Sequence, residues 1–401
     1  MTVSSPSSWD LVLVPAALDS ERPIIRPKAK IAARDYHLSG RYPIIDQSQN
    51  DIAGWTNSED AVLPVTRPVI VFGDHSRTFK YVDHAFAAGA DGTLILNPAK
   101  EFDPRFLYFA CVGLEIPNRG YNRHYSLLKE MSVPRPPPAE QRAIADILSK
   151  VQEAIETEGQ LVRVTRELKQ AALRQLFTRG LRGEPQKETE IGPVPESWDL
   201  VPLSKAALLE RGRFTHRPRN EPRFYGGNTP FVQTGDVVRS GGWVNNHTQT
   251  LNEEGVAISR VFPKGTILIT IAANIGYSGI LQFDSAAPDS LVGVTPSTDF
   301  DAAFLNYFLQ TQRRRMDELA PRGTQKNINI QFLSPWLTPK PSFSEQREIA
   351  ALLGTIDAKL AHHEARQKLL RELFRTVLHD LMTARRRVKT SGSFSTEEEK
   401  P

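Results

Sequence analysis

The chain has 401 residues, 40% of them hydrophobic, which is too long for one ordinary core and supplies enough apolar material for two or a few domains. Lysine and arginine outnumber aspartate and glutamate by only 50 to 46, a net charge of +4, so bulk charge by itself points to no partner. A single cysteine, Cys111, excludes an intramolecular disulfide and a cysteine-based zinc cluster, and no apolar run approaches the roughly 20 residues that span a bilayer.

In chain order, the start MTVSSPSSWD lacks the basic flank and apolar stretch of a secretory signal, which predicts a soluble cytoplasmic protein with no membrane association. SWDLV at residues 8–12 then opens a first domain, predicted over 1–136. Its short β-branched and aromatic runs, YPIIDQ, RPVIVFGD and GTLILN, are punctuated by Gly, Pro, Asn and Asp and predict strands. Cys111 lies in FACVGL, the setting of a buried core thiol. The Pro-rich PRPPPAEQ stops this domain, and a segment rich in Ala, Leu, Glu, Gln and Arg predicts a long helix over 137–180. After a linker over 181–196, SWDLV recurs at 197–201 and opens a second strand-rich domain, 197–340, with TPFVQTGD and GTILITIAANIG. PKPSFSEQ then precedes a second long helix over 341–387, with Ser344 as its expected N-cap, and the polar tail 388–401 is predicted disordered.

The two helices repeat each other. AEQRAIADILSKVQEAI (139–155) returns as SEQREIAALLGTIDAKL (344–360), and RELKQAALRQLFT (166–178) as RELFRTVLHDLMT (371–383), all displaced by 205 residues. Ile349, Leu353, Ile356, Leu360, Leu370, Phe374, Val377 and Leu381 follow three- and four-residue steps, broken at His363 and Gln367, as in a coiled-coil seam. The first copy carries Ile144, Leu148, Val151, Ile155, Val162, Ala172 and Leu176, interrupted by Glu158, Thr165 and Lys169. Weaker similarity joins AAGADGTLILNP (87–98) to SAAPDSLVGVTP (285–296). The expected fold is therefore α+β: two mixed α/β domains alternating with two long helices that pair as an antiparallel coiled coil, a pseudo-twofold tandem repeat. Trp9 and Trp198 are expected as buried anchors of each opening strand.

Two related but divergent domains at a fixed separation suit a long, regular ligand such as duplex DNA, whose half-sites lie a helical turn or a multiple of it apart. A duplicated scaffold satisfies the architecture equally. Basic clusters at 21–30, 210–220, 311–315 and 384–389 are compatible with nucleic acid or with solvated faces.

Over almost its whole length the chain resembles the specificity subunits of type I restriction-modification systems. The resemblance is carried by PPPAEQRAIADIL and PSFSEQREIAALL at the helix starts, by IGPVPESWDLVPL before the second domain, and by VIVFGDHSRTFKYV in the first. FVQTGDV, FPKGTILITIAANIG and RGTQKNIN carry it in the second domain. It implies two target-recognition domains, each reading one half of an asymmetric bipartite DNA site, with the helices setting the gap. It further implies docking of two methyltransferase subunits and of motor-nuclease subunits where these exist, with S-adenosylmethionine, ATP and Mg2+ in those partners. The residues agree in what they lack: no phosphate loop of the G-x-x-x-x-G-K-[ST] type, no glycine-rich methyl-donor site with its catalytic tetrapeptide, and no metal-spaced histidines, so the chain is expected to be non-catalytic. His362 and His363 fall mid-helix, at solvated or seam positions.

Bases are read by paired hydrogen bonds from Arg, Lys, Asn and Gln. RGYNRHY (119–125) and RGTQKNI (322–328) sit at corresponding places, and glycine permits a tight loop in each. The candidate readers are Arg119, Tyr121, Asn122, Arg123 and His124 in the first, and Arg322, Thr324, Gln325, Lys326 and Asn327 in the second. Lesser candidates are His75, Arg77, Lys80, Thr234 and Asn274, while Asp74 and Asp236 are read as turn caps. Glu140, Gln141 and Arg142, with Glu345, Gln346 and Arg347, are either partner-binding residues or helix-capping ones. The competing function is a coiled-coil scaffold with protein- or glycan-binding domains; a single-chain nuclease or methyltransferase is disfavoured by the missing motifs.

Overall fold

The computed structural model describes residues 9–89, 91–120, 122–218, 220–321, 326–388 and 394–395. Contacts divide the mixed α/β chain into two compact units, one formed by residues up to Gln160 and from Glu364 on, the other by Leu161–His363. The two long helices, Pro138–Arg179 and Phe343–Met382, each contribute one part to each unit.

In the first unit one sheet has the order Ile24–Ile25, Thr93–Leu96, Val69–Gly73, Phe79–Val82, all antiparallel. A second has the order Gly54–Thr56, Tyr42–Ile45, Phe86–Ala88, Val62–Leu63, with the central pair parallel. Strand Val69–Gly73 is buried throughout. Because side chains alternate across a strand, Ile70 and Phe72 join the core under helix Pro104–Val112, while Val69 and Val71 pack with Ile45, Phe86 and Ile95. Cys111 is buried there, and burial pushes its thiol up to about 12.

The second unit has the same strand order. Ala207–Arg211, Leu291–Pro296, Ile267–Thr270 and Ser278–Leu281 form one sheet, extended by Trp243–Val244. Gln249–Leu251, Tyr225–Phe231, Ser285–Ala287 and Arg260–Phe262 form the other, again with a parallel central pair. The predicted strands in TPFVQTGD and GTILITIAANIG are thus Tyr225–Phe231 and Ile267–Thr270.

Each SWDLV segment pairs with the residues that lead into a long helix. Asp10–Leu13 pairs with Ser132–Arg135, and Asp199–Pro202 with Leu337–Lys340. Pro134 and Pro339, the first proline of each expected stop, are therefore strand residues, tolerated because a two-stranded ribbon has an open edge. The second helix is capped by Ser342, whose hydroxyl accepts the Glu345 amide at 3.3 Å, rather than by Ser344, which lies inside the helix and donates to Glu348. Gly180, at φ 61°, ends the first helix in the left-handed conformation.

The polar interruptions of the seam are paired within each unit. In the first, the Glu158 side chain, 5% exposed, meets Arg366 at 3.1 Å, and the Gln367 amide donates to the Ile155 carbonyl. In the second, Asp357 accepts from Lys169 at 2.6 Å and from the Tyr307 hydroxyl at 2.7 Å. Burial, then this carboxylate, raises the Tyr307 pKa. Within the expected tail, Arg387–Val388 pairs with Phe394–Ser395, so that part of it forms a short ribbon. Among the described residues no helix is long and apolar enough to cross a membrane.

Candidate nucleic-acid interface

In each unit the turn of the central hairpin packs beside a candidate reading segment, at Arg119, His124 and Tyr125 in the first and at Asn327 and Ile328 in the second. In the first unit the turn follows strand Val69–Gly73. The Asp74 carboxylate, buried at its N-terminal side, accepts the amides of His124 at 2.8 Å and Tyr125 at 2.7 Å. The His124 ring is wholly buried; Nδ1 lies 2.9 Å from the Asp74 carbonyl, and Nε2 accepts the Arg119 amide. A latch of two side chains thus holds Arg119, His124 and Tyr125 against the turn. In the second unit the equivalent turn follows Ile267–Thr270, and a bridge between Ala272 and Asn327, with the Ile328 amide on the Ile271 carbonyl, makes the corresponding junction. Both turns carry a non-glycine residue in the left-handed region, Arg77 and Ala273, each at φ 61°. Such conformations cost on the order of 1 kcal/mol or more and persist where surrounding contacts enforce them.

The candidate readers separate by exposure. Arg119, Asn122 and Arg123 are exposed, and Gly120, at φ 71°, makes the loop that presents them. Asn274 and Asn327 are exposed and brought together by the Ala272–Asn327 bridge; Lys326 is partly exposed and paired with Asp317 at 2.8 Å. Tyr121, Arg322, Thr324 and Gln325 lie outside the described residues.

His124 and Lys80 are buried, and the other expected readers make contacts within the unit. His124 is the buried latch. Lys80 is 8% exposed and donates to the Asn50 carbonyl beside Asp46; burial lowers its pKa. The Arg77 guanidinium donates to the Ile116 carbonyl at 2.9 Å, and the Thr234 hydroxyl to Ser290 at 3.2 Å. His75 is half-buried, its amide donating to Gln47. Asp236 acts as the turn cap expected of it, in a capping box with Gln233.

Of the residues at the helix starts, Glu140, Gln141, Glu345 and Gln346 face inward rather than toward a partner. The Trp9 indole donates to Glu140 at 3.2 Å, and the Trp198 indole to Glu345 at 3.3 Å. Gln141 and Gln346 each accept a backbone amide, from Asp103 at 2.7 Å and from Asp301 at 2.8 Å, and donate to carbonyls on both sides of the junction. The two sequence repeats recur together because each tryptophan is the partner of the following helix's glutamate. Glu140 also accepts from Arg387 through Nε at 2.7 Å and Nη2 at 2.9 Å. Arg142 and Arg347 are left as the exposed members of the motif.

Exposed apolar residues also escaped the sequence reading. Val164 (54% exposed) and Leu168 (53%) on the first helix correspond, at the same displacement of 205, to Leu369 (65%) and Leu373 (47%) on the second. An apolar pair at i, i+4 that recurs off the seam in both copies was the available signal.

Asp74→Ala strands the Tyr125 amide and takes one of two acceptors from the His124 amide, which keeps the Asp74 carbonyl, with a penalty of about 1–2 kcal/mol expected. Urea denaturation of the full chain measures it, and an unchanged midpoint would show that this carboxylate does not hold the loop.

Residues 196–372 match the family model described as the type I restriction modification DNA specificity domain. A Methanocaldococcus jannaschii protein named as the MjaX type I restriction enzyme specificity subunit is 26% identical over 310 residues, covering 74% of this chain and 72% of its own length. The MjaVIII specificity subunit of the same organism is 25% identical over 279 residues, covering 66% of this chain and 64% of its own. The crystal structure of the type I restriction-modification S subunit from M. genitalium shares the fold, with a TM-score of 0.65 at 17% identity over 95% of this chain and 98% of that one. Residues 196–372 thus match a type I restriction modification DNA specificity domain, and the chain as a whole is similar in sequence and in fold to specificity subunits of type I restriction-modification systems.

Proposed function

We propose that each strand-rich domain, 1–136 and 197–340, reads one half of an asymmetric, bipartite DNA site, and that the long helices set the unread gap between the halves. The carrying observation is that one strand order presents two chemically different edges: Arg119, Asn122 and Arg123 in the first unit, Asn274, Lys326 and Asn327 in the second. One scaffold with two edges is what a site with two different halves requires.

The tandem-repeat and antiparallel coiled-coil reading is supported by the pairings inside each unit. Positions 155 and 158 meet 367 and 366, and position 169 meets 357, so numbers rise along one helix as they fall along the other. Two methyltransferase subunits dock on this subunit, one at each copy of the exposed stripe, Val164 with Leu168 and Leu369 with Leu373, with Arg142 and Arg347 as further exposed contact residues near the helix starts. The chain is non-catalytic and acts in the cytoplasm. S-adenosylmethionine, ATP and Mg2+ serve the methyltransferase and, where present, the motor-nuclease subunits.

Genome-wide methylation mapping by single-molecule sequencing tests this reading in cells expressing the chain with its methyltransferase partner. A two-part motif with a fixed gap, lost when the chain is absent, is expected. Exchanging residues 1–136 for another subunit's first domain is expected to change one half of that motif and leave the other intact. An active methyltransferase in a confirmed complex with no dependent motif would return the chain to the scaffold reading, and a change in both halves would overturn the division of labour between the domains.

A further inference from the structure

The second unit contains a cavity of about 600 Å³ between the later part of the first long helix and helix Ala302–Leu319. Its buried apolar lining includes Leu173, Phe177 and Phe308, yet every charged side chain that lines it is basic: Lys169, Arg174, Arg313 and Arg314. Lys169 is neutralised by Asp357, and Arg314 by Glu318 at 2.7 Å. Among the described residues, Arg174 and Arg313 enter no ion pair, and Arg313 instead lies 4.5 Å from the Tyr277 ring centre. Gln310 lines the same cavity, and its Nε2 is buried without a hydrogen-bond partner. A carboxamide nitrogen only donates, so the cavity holds a stranded donor and, at its exposed rim, two guanidinium groups without a carboxylate partner. Gly242 preserves the room for it, since an added Cβ there would come within 2.4 Å of that nitrogen.

The first unit offers a contrast. The cavity of about 340 Å³ in the first unit mixes Lys80 and Arg105 with Asp51, Glu153 and Glu156. The basic cavity also continues into the candidate reading edge, because Gly276 and Tyr277, which line it, belong to the turn that carries Asn274. Guanidinium groups and amide donors with no opposing carboxylate suit a phosphate.

We infer that this groove takes backbone phosphates of the duplex whose bases the second domain reads, a sequence-independent anchor next to the sequence-reading turn. The inference rests on the chain being a DNA-specificity subunit. The test uses the full chain in complex with its methyltransferase partner, a duplex carrying the mapped motif, and the double variant Arg174→Gln with Arg313→Gln. Each lost phosphate contact removes about 0.9 from the slope of log affinity against log salt, so a slope shallower by about 1.8 is expected, with the methylated motif unchanged. The charge-preserving pair Arg174→Lys with Arg313→Lys should keep the wild-type slope, which separates charge from folding damage. An unchanged slope in the glutamine variant, a relaxed motif, or loss of slope in the lysine pair as well would overturn the anchor. Saturable binding of inorganic phosphate or ATP to the wild-type complex, undisturbed by excess duplex and abolished in the glutamine variant, would overturn it in favour of a small-ligand site. A wild-type complex with no salt-sensitive DNA binding would instead sink the underlying DNA-specificity reading.

Discussion

Replacing Trp198 with alanine is expected to lower the stability of the chain by ~3–5 kcal/mol, the range for removing a large buried aromatic. Trp198 is fully buried and lies among Phe177 from the first long helix, Phe304 and Phe308 from the recognition domain, and Ile349 and Leu353 from the second long helix. Its ring centre is 6.1 Å from Phe304 and 6.5 Å from Phe177, both close to edge-on. The indole donates to Glu345, so truncation removes the apolar contacts and also leaves a partly buried carboxylate short of a donor. Trp198→Phe keeps most of the packing and drops the hydrogen bond, with a loss of about 1–2 kcal/mol expected. Denaturant titration of the full chain distinguishes the two variants. A loss below about 1 kcal/mol for the alanine variant would show that the residue is not the hub of this junction.

Leu168→Glu is expected to release one methyltransferase subunit, Leu373→Glu another, and the double variant both, with methylation abolished in the last case. The exposed pairs Val164 with Leu168 and Leu369 with Leu373 stand one helical turn apart within each pair, at the same places in the two sequence copies. Burying a leucine against a partner contributes ~1.5–3 kcal/mol, and a carboxylate at the centre of that contact adds a desolvation cost. The expected weakening is ~2–4 kcal/mol per site, about 30-fold or more. Native mass spectrometry of the co-expressed complex reads the stoichiometry directly. Both subunits retained on the double variant would remove these stripes from the docking surface. Because these side chains are already solvated, the substitutions should leave the denaturation midpoint of the chain nearly unchanged.

Much of the architecture was legible without coordinates. Composition and the 205-residue displacement marked both long helices, and their observed spans, Pro138–Arg179 and Phe343–Met382, lie within the expected ranges. Helical periodicity and strand-forming runs are local signals, so Tyr42–Ile45, Val69–Gly73 and Ile267–Thr270 fall where the apolar runs predicted strands. The first Arg-Gly segment was legible as a loop, and Arg119, Asn122 and Arg123 in it are exposed.

Which polar residues face outward was not legible. Residue type alone made Lys80 and His124 as plausible at a DNA surface as Arg123, because a lysine or histidine carries the same donors whether it reads a base or satisfies a backbone carbonyl. Only the packing of the hairpin turn against Arg119, His124 and Tyr125 turned His124 into a buried latch, and only the closeness of Asp46 and the Asn50 carbonyl drew Lys80 inward. The same holds for the helix starts. The sequence by itself established that SWDLV and EQR each occur twice, and therefore that the chain has two equivalent units. That Trp9 meets Glu140 and Trp198 meets Glu345, partners 131 and 147 residues apart, was decided by tertiary structure, since a hydrogen bond depends on the distance between two atoms in space and leaves no periodic trace along the chain.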